Sequence, residues 1–344
     1  MTTIRQIAKE LGMSPSTVSQ ALNNKGYLKR ETRERVREMA ARLGYFAPPG
    51  MDTADKNVAG RSIRLIVTAK QHKFPDFGPR LGILPGALAG IQEAIRPYKV
   101  NLVLAEPEEA AGAKGGWAAT IVLGGISAEL QGFLEEEKEP VVIVGSHVPS
   151  DRISSVEIDA VAGLRMGVRH LYELGHRKIA FLNGPAERMT SDANFTGFLR
   201  ATHEHGLSPE FTASVPETLS GDMLPNARSL ARELLAGAWR DVTAVIGATS
   251  AITLGLAMEA QSCGLRIPDD LSILSIGGRA SELWEPRLTA VFVKWERLGS
   301  IAVDLALAAR TSPQLRGTRV LVRPYLDVQG STAGPGRRAS DRGA

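Results

Sequence analysis

Ser16 and Gln20 stand four residues apart in the stretch SPSTVSQAL, a spacing that puts a hydroxyl and a carboxamide on one side of a helix. Those groups suit the reading of base edges in a DNA groove: an amide pairs bidentately with adenine, and a serine hydroxyl donates or accepts. Pro15, at the first helical position, would set the start of that helix and touch a thymine methyl. Around it Thr3, Ser14, Thr17, Ser19, Asn23, Tyr27, Thr32 and Arg33 are of the types that bind phosphates through hydroxyl, amide, backbone or guanidinium groups. The chemistry expected is recognition of double-stranded DNA, with Pro15, Ser16 and Gln20 facing the bases.

Three short helices have to position these groups. In the first, Ile4, Ile7, Ala8 and Leu11 form one apolar stripe, and Gly12 with Ser14 supplies a tight turn. Ser14 is the expected N-cap of the second helix, and Pro15 needs no amide partner at its first position. Val18, Ala21 and Leu22 then share a buried face, while Ser16, Gln20 and Asn23 project from the other side, as on a recognition helix. The third helix buries Val36, Met39, Ala40 and Leu43 and carries Arg33, Arg35, Arg37 and Arg42 outward. A small helical bundle with a solvated charged face would share some of these features. The charge argues against that plainer reading: residues 1–50 carry a net +5, whereas the whole chain is only +4, so the positive field is local.

The 344 residues suffice for two or three domains, and 43% hydrophobic with 23% charged residues places the chain among globular proteins. A single cysteine, Cys263, excludes an internal disulfide framework and fits a reducing compartment; it reads as a small buried apolar residue rather than a nucleophile. MTTIRQIAKEL has no apolar signal region, and no apolar run is long enough to span a bilayer, so a cytoplasmic, nucleoid-associated protein without a membrane partner is expected. The histidines His72, His147, His170, His176, His203 and His205 show no zinc-site spacing, and His176 reads as a capping or packing residue at a helix end. Glu135, Glu136 and Glu137 read as a solvated helix end. Gly124-Gly125 and Gly277-Gly278 read as strand-end turns. No catalytic residue, metal or cofactor is expected, and the chain is not expected to be an enzyme.

After Tyr45 the segment FAPPGMDTADKNVAGR reads as a linker. Strand-like runs follow at Ile63–Val67, Asn101–Leu104, Thr120–Leu123, Val141–Val144, Lys178–Leu182, Ala244–Ala248 and Ser272–Ile276. Helical stretches are expected at Gly86–Arg96, Val161–Leu174, Asn194–His205, Pro225–Leu235, Ala251–Cys263 and Arg297–Ala309. Such alternation means crossovers and parallel sheets. The expected organisation is a helix-turn-helix head over 1–46, a hinge or linker over 47–61, an α/β body over 62–333 and a disordered Gly-, Arg- and Ser-rich tail over 334–344.

With those residues in view, the chain resembles the lactose-repressor (LacI/GalR) family of bacterial transcription regulators from Thr3 to about Thr332. The body carries matching segments in family order: VEIDAVAG at 156–163, LGHRKIAFLNGP at 174–185, GLRIPDDLSILSIG at 264–277, EPRLTAV at 285–291 and QGST at 329–332. The resemblance implies a small all-α head and a periplasmic-binding-protein-like body of two Rossmann-like subdomains joined by three crossovers. It also implies a ligand cleft between the subdomains, homodimerisation through the body and a near-palindromic operator. The candidate effector cleft would contain Asp159, Arg188, Thr190, Asn194, Thr249, Ser250, Gly277 and Trp295.

Departures from the family pattern carry their own information. Gln20 stands where the family places a base-reading arginine. The usual hinge is replaced by Ala47, Pro48, Pro49 and Gly50 onward, with Ala54 at the position of the wedging leucine, and with Asp52, Asp55 and the apolar Met51 nearby. In the cleft, Asn194 precedes Gly197 and Phe198 where the family has arginine, Thr249-Ser250 replaces Asn-Asp, and Gly145 and Gly277 replace two aspartates. Losing four such groups argues against an ordinary free sugar as effector. Arg188 with Trp295 suits an anionic or flat ligand, and equally reads as a surface arginine and a packing tryptophan. Two functional readings follow: a ligand-gated regulator, or an effector-independent one whose body serves dimerisation or protein docking. A solute-binding or enzymatic α/β protein with an incidental helical N-terminus is the third, and the missing catalytic constellation argues against it.

Overall fold

The computed structural model describes residues 4–22, 28–42, 58–68, 83–106, 116–186, 189–216, 223–277 and 284–336. The head is α1 (Ile4–Leu11), α2 (Pro15–Leu22) and α3 (Arg30–Arg42), each packed on the other two. Ile7, Ala8, Val18, Ala21 and Val36 are buried at their meeting point, with Leu11 and Met39 half-buried around them.

The body contains two six-stranded sheets. The first subdomain runs through β1 (Ser62–Val67), α4 (Ile83–Ile95), β2 (Asn101–Ala105), β3 (Trp117–Leu123), α5 (Ala128–Glu135), β4 (Val141–Val144) and β5 (Ile153–Ile158). The chain then crosses into α6 (Ala160–Glu173), β6 (Ile179–Asn183), α7 (Met189–Glu204), β7 (Thr212–Ser214), α8 (Met223–Ala236), β8 (Ala244–Gly247), α9 (Ser250–Ser262), β9 (Ser272–Ile276) and β10 (Thr289–Phe292). It returns to the first subdomain for α10 (Trp295–Thr311) and β11 (Arg319–Val322), and ends in the second with β12 (Tyr325–Asp327). The orders are β11-β5-β4-β3-β1-β2 and β12-β10-β9-β8-β6-β7, parallel throughout except that β12 runs antiparallel to β10.

Buried parallel strands need apolar residues on both faces, and β4, β6, β8 and β9 are buried at every position. These are the strands that the apolar runs announce. The chain also forms α5, β5, β7, β10, β11 and β12, which no apolar run marks. The physical reason is clearest in β5, whose buried residues include Ser154, Ser155 and Glu157. Glu157 accepts from Arg319 at 2.8 and 3.1 Å and from Ser155 at 2.8 Å, and lies 2.7 Å from His147 Nδ1. A polar strand is thus buried with its charge satisfied. At the boundaries, Val58 already belongs to the first core, four residues before β1. At the other end Pro335 packs on Gly175 and Gly336 abuts the Asp269 carbonyl.

Two expectations require correction. Cys263 is exposed, because it lies just past the end of α9 as its C-cap, where the chain turns outward. Glu137 is not part of a solvated helix end: its carboxylate meets the fully buried Arg64 at 2.6 Å. Arg64 on β1 also donates to Thr120 Oγ1 at 2.9 and 3.1 Å and lies beside the rings of Trp117 and Phe133. Glu137→Ala is therefore expected to destabilise the body by roughly 3–5 kcal/mol, by leaving a buried guanidinium without its counter-charge. Urea unfolding checks this; a loss below about 1 kcal/mol would mean that solvent screens the pair.

His176 follows α6 and is buried, its Nδ1 2.9 Å from Thr243 Oγ1 and its Nε2 2.8 Å from the Ala333 carbonyl. The carbonyl accepts, so Nε2 carries the proton. Burial, the largest cause, holds this ring below the ordinary histidine value of 6.5. The folded protein therefore binds this proton less readily than the unfolded chain, and stability falls as pH drops below 6.5. Asp304 on α10 acts in the opposite sense: burial raises its carboxyl from 3.8 to about 6, so its stabilising contribution is lost as pH rises through 6. Thermal melts should show His176→Gln losing less stability than the parent on acidification below 6.5. Parallel curves for the two proteins would contradict the assignment.

Candidate nucleic-acid interface and ligand cleft

The start of α2 is built by two local devices. Gly12, at φ +62°, ends α1 in the left-handed region and lets Met13 N–H reach the Ala8 carbonyl at 2.9 Å. Ser14 Oγ then accepts the Thr17 amide at 3.0 Å and lies 2.8 Å from Thr17 Oγ1, while its carbonyl accepts from Val18 N–H. Ser14 thus caps the helix as the sequence predicts, and its oxygen is committed to that cap. Burial of Val18 and Ala21 orients the helix so that Pro15, Ser16 and Gln20 are exposed together. Thr17, Ser19 and Thr32 are half-buried, and Arg33 Nε donates to the Leu28 carbonyl at 3.4 Å. Thr3, Asn23, Tyr27 and the hinge through residue 57 lie outside the described residues.

The body's cleft follows from its three crossovers. Asp159 links β5 to α6, Val293-Lys294 links β10 to α10, and Arg323-Pro324 links β11 to β12. Links this short hold the carboxyl ends of β5 and β11 close to the carboxyl end of β10, so the carboxyl edges of the two sheets face each other. Each sheet also reverses its strand order at one point, between β1 and β3 and between β6 and β8, where open α/β sheets form crevices.

The cleft candidates fall into separate groups. Asp159 Oδ1 caps α6 through the Ala162 amide at 2.9 Å, and its own amide donates to the Val322 carbonyl, so it holds the crossover. Thr249 caps α9 through the Ile252 amide at 3.3 Å, and Ser250 donates to the Gly277 carbonyl at 3.3 Å, which brings Thr249, Ser250 and Gly277 together. Trp295 opens α10 and belongs to the first subdomain, its indole against Gly145. Thr190 and Asn194 lie on α7, exposed and half-buried respectively; Arg188 lies outside the described residues.

Residues that sequence reasoning missed line a cavity of about 310 Å³ beside β6, β7 and α7, among them Asn183, Ser191 and Phe195. Asn183 donates to the Ser191 carbonyl at 2.8 Å and accepts from Gly184 N–H at 2.9 Å. The available signal was a lone amide closing the apolar strand IAFLN at its carboxyl end.

Comparison with known proteins addresses head and body separately. Residues 3–47 match the family described as bacterial regulatory proteins, lacI family, and residues 168–332 match the periplasmic binding protein-like domain. The chain belongs to the LacI family. Its relatives include the HTH-type transcriptional repressor PurR of Edwardsiella ictaluri (strain 93-146), 25% identical with 97% of both chains covered. Catabolite control protein A of Priestia megaterium is 28% identical over 88% of this chain and 91% of its own. The HTH-type transcriptional repressor CytR of Escherichia coli (strain K12) is 24% identical over 96% of each. Among solved structures, the transcriptional regulator CelR in complex with cellobiose superposes with a TM-score of 0.68 at 24% identity, covering 96% of this chain and 100% of that one. The lac repressor dimer bound to operator and the anti-inducer ONPF gives 0.64 at 19% identity, covering 96% and 99%. These structural likenesses establish the LacI-type fold: a helix-turn-helix head and two parallel-sheet subdomains. The curated relatives are repressors rather than enzymes. No helix among the described residues is long and apolar enough to cross a membrane.

The cap supplies the test of how this LacI-family head is built. Ser14→Ala should cost about 1 kcal/mol of head stability, read in the full chain as an earlier loss of helical signal on heating. An unchanged transition would show that the Ser14 cap contributes nothing.

Proposed function

We propose that the chain is a sequence-specific DNA-binding regulator of transcription that acts as a repressor and binds a near-palindromic operator as a homodimer. The observation that carries this is the exposure of Ser16 and Gln20 together on a helix whose start Ser14 caps and whose opposite face Val18 and Ala21 bury. Rigid presentation of two polar side chains is what base reading in a major groove requires. Thr3, Ser14, Thr17, Ser19, Asn23, Tyr27, Thr32 and Arg33 are assigned to phosphates, Ser14 through its backbone because its hydroxyl is engaged in the cap. The reading places the protein in the cytoplasm on the nucleoid and includes no catalytic step.

The body, in this reading, closes around a small ligand, with Asp159, Arg188, Thr190, Asn194, Thr249, Ser250, Gly277 and Trp295 around the cleft. A ligand that favours one closure changes the spacing of the two heads, with a coupling of roughly 1–3 kcal/mol. The second reading, an effector-independent regulator whose body serves dimerisation or docking, is favoured by the engagement of Asp159, Thr249 and Ser250 in helix caps and strand-end bonds.

Selection of bound duplexes from a random DNA pool, with and without a mixed metabolite extract, tests both. A palindrome whose enrichment responds to the extract supports ligand gating; one indifferent to it supports the second reading; no enriched sequence sinks the regulator itself. On the recovered operator, Gln20→Ala should relax preference at one base pair by about 1–3 kcal/mol. Arg33→Ala should weaken all sequences alike and reduce the salt slope by about one. Wild-type binding by both variants would refute the recognition assignment.

A further inference from the structure

The carboxyl edges that face each other across the cleft present little charge. In the first subdomain β3 runs into Gly124 and Gly125, and β4 into Gly145 and Ser146; in the second, β8 leads to Thr249 and Ser250 and β9 to Gly277. None of these positions bears a charged side chain. The nearest ionisable groups are committed: Asp159 caps α6, and His147 pairs with Glu157, which Arg319 also holds.

Into this neutral edge Trp295 projects from the first turn of α10. Its fit depends on two glycines. A Cβ at Gly86 on α4 would come within 2.8 Å of Trp295 Cβ, and a Cβ at Gly145 would come within 3.2 Å of ring atoms Cη2 and Cζ3. Gly145 has φ +84°, so a side chain there is disfavoured by the backbone as well as by the indole. The outer edge of the ring therefore rests against the backbone at the end of β4. The residue is half-buried, and its indole N–H has no hydrogen-bond partner among the described residues.

We propose that the cleft takes an uncharged, planar heteroaromatic ligand that stacks on Trp295 and bonds along its edge to strand-end backbone groups and the Ser146 and Thr249 hydroxyls. The inference rests on the ligand-gated reading of the body and specifies its ligand class. A flat ring needs few polar partners, all at its rim, and neutral backbone groups supply them. A free sugar presents hydroxyls around its whole perimeter and would leave several unpaired against glycines and an indole.

Calorimetric titration of the full-length protein with indole, nicotinamide and adenine, and with ribose as the hydroxylated control, tests this. At least one planar compound should bind, ribose should not, and Trp295→Leu should weaken the binding roughly tenfold or more. Gly145→Asp, which places a side chain where the indole lies, should weaken it comparably and alter tryptophan emission. Operator enrichment by the same preparations establishes that each variant is folded. Binding of ribose alone, binding of none of the four, or undiminished binding by Trp295→Leu overturns the inference while operator enrichment leaves the regulator reading intact. Loss of operator enrichment by the wild-type chain would instead bring down the regulator reading, whatever the cleft binds.

Discussion

Three links of one, two and two residues, at Asp159, Val293-Lys294 and Arg323-Pro324, hold the body together and define where its chemistry can occur. An extended residue spans at most about 3.6 Å, so these links keep the carboxyl edges of the two sheets close while leaving each sheet its own core. The first core lies under α4 and α10, the second under α6, α8 and α9. Because the chain changes subdomain three times, neither sheet is completed by a single stretch of sequence. β11 closes the first sheet after the second has been built, and β12 closes the second as an antiparallel edge.

That constraint also explains the division of labour among polar residues. Asp159 reads as a ligand group when only its position is considered, yet at a one-residue crossover it must cap the helix that begins beside it. Thr249 does the same for α9. Glu157 ties β5 to β11 through Arg319 and to the β4–β5 loop through His147, which braces the side of the first sheet from which two crossovers leave. Trp295 is placed by the third link: α10 begins two residues after β10, and the approach of α10 to α4 is close enough that Gly86, Gly90 and Gly299 have no room for a side chain.

The head obeys different physics. It is small, its core is a handful of side chains, and its precision comes from a cap and a turn rather than from a large buried volume. Its charge is concentrated where the rest of the chain is nearly neutral, which gives a local phosphate attraction on a scaffold that fixes two polar side chains outward.

Local rules sufficed wherever one segment settles its own structure. The periodicity of Ile7, Ala8, Val18 and Ala21, the Ser14-Pro15 start, and the continuous apolar runs of β4, β6, β8 and β9 were legible in the sequence, and with them the head and the parallel-sheet body. Tertiary structure alone decided what depends on distant partners. Ser154, Ser155 and Glu157 form a buried strand only because Arg319, more than 160 residues away, brings the counter-charge. Arg64 is buried only because Glu137 and Thr120 reach it, and Cys263 is exposed because of where a helix ends. The sequence by itself determined the elements, since their hydrogen bonds and apolar faces are local. The pairing of charges and the setting of Trp295 against Gly145 belong to the fold, since each is made by segments that meet only after the crossovers have formed.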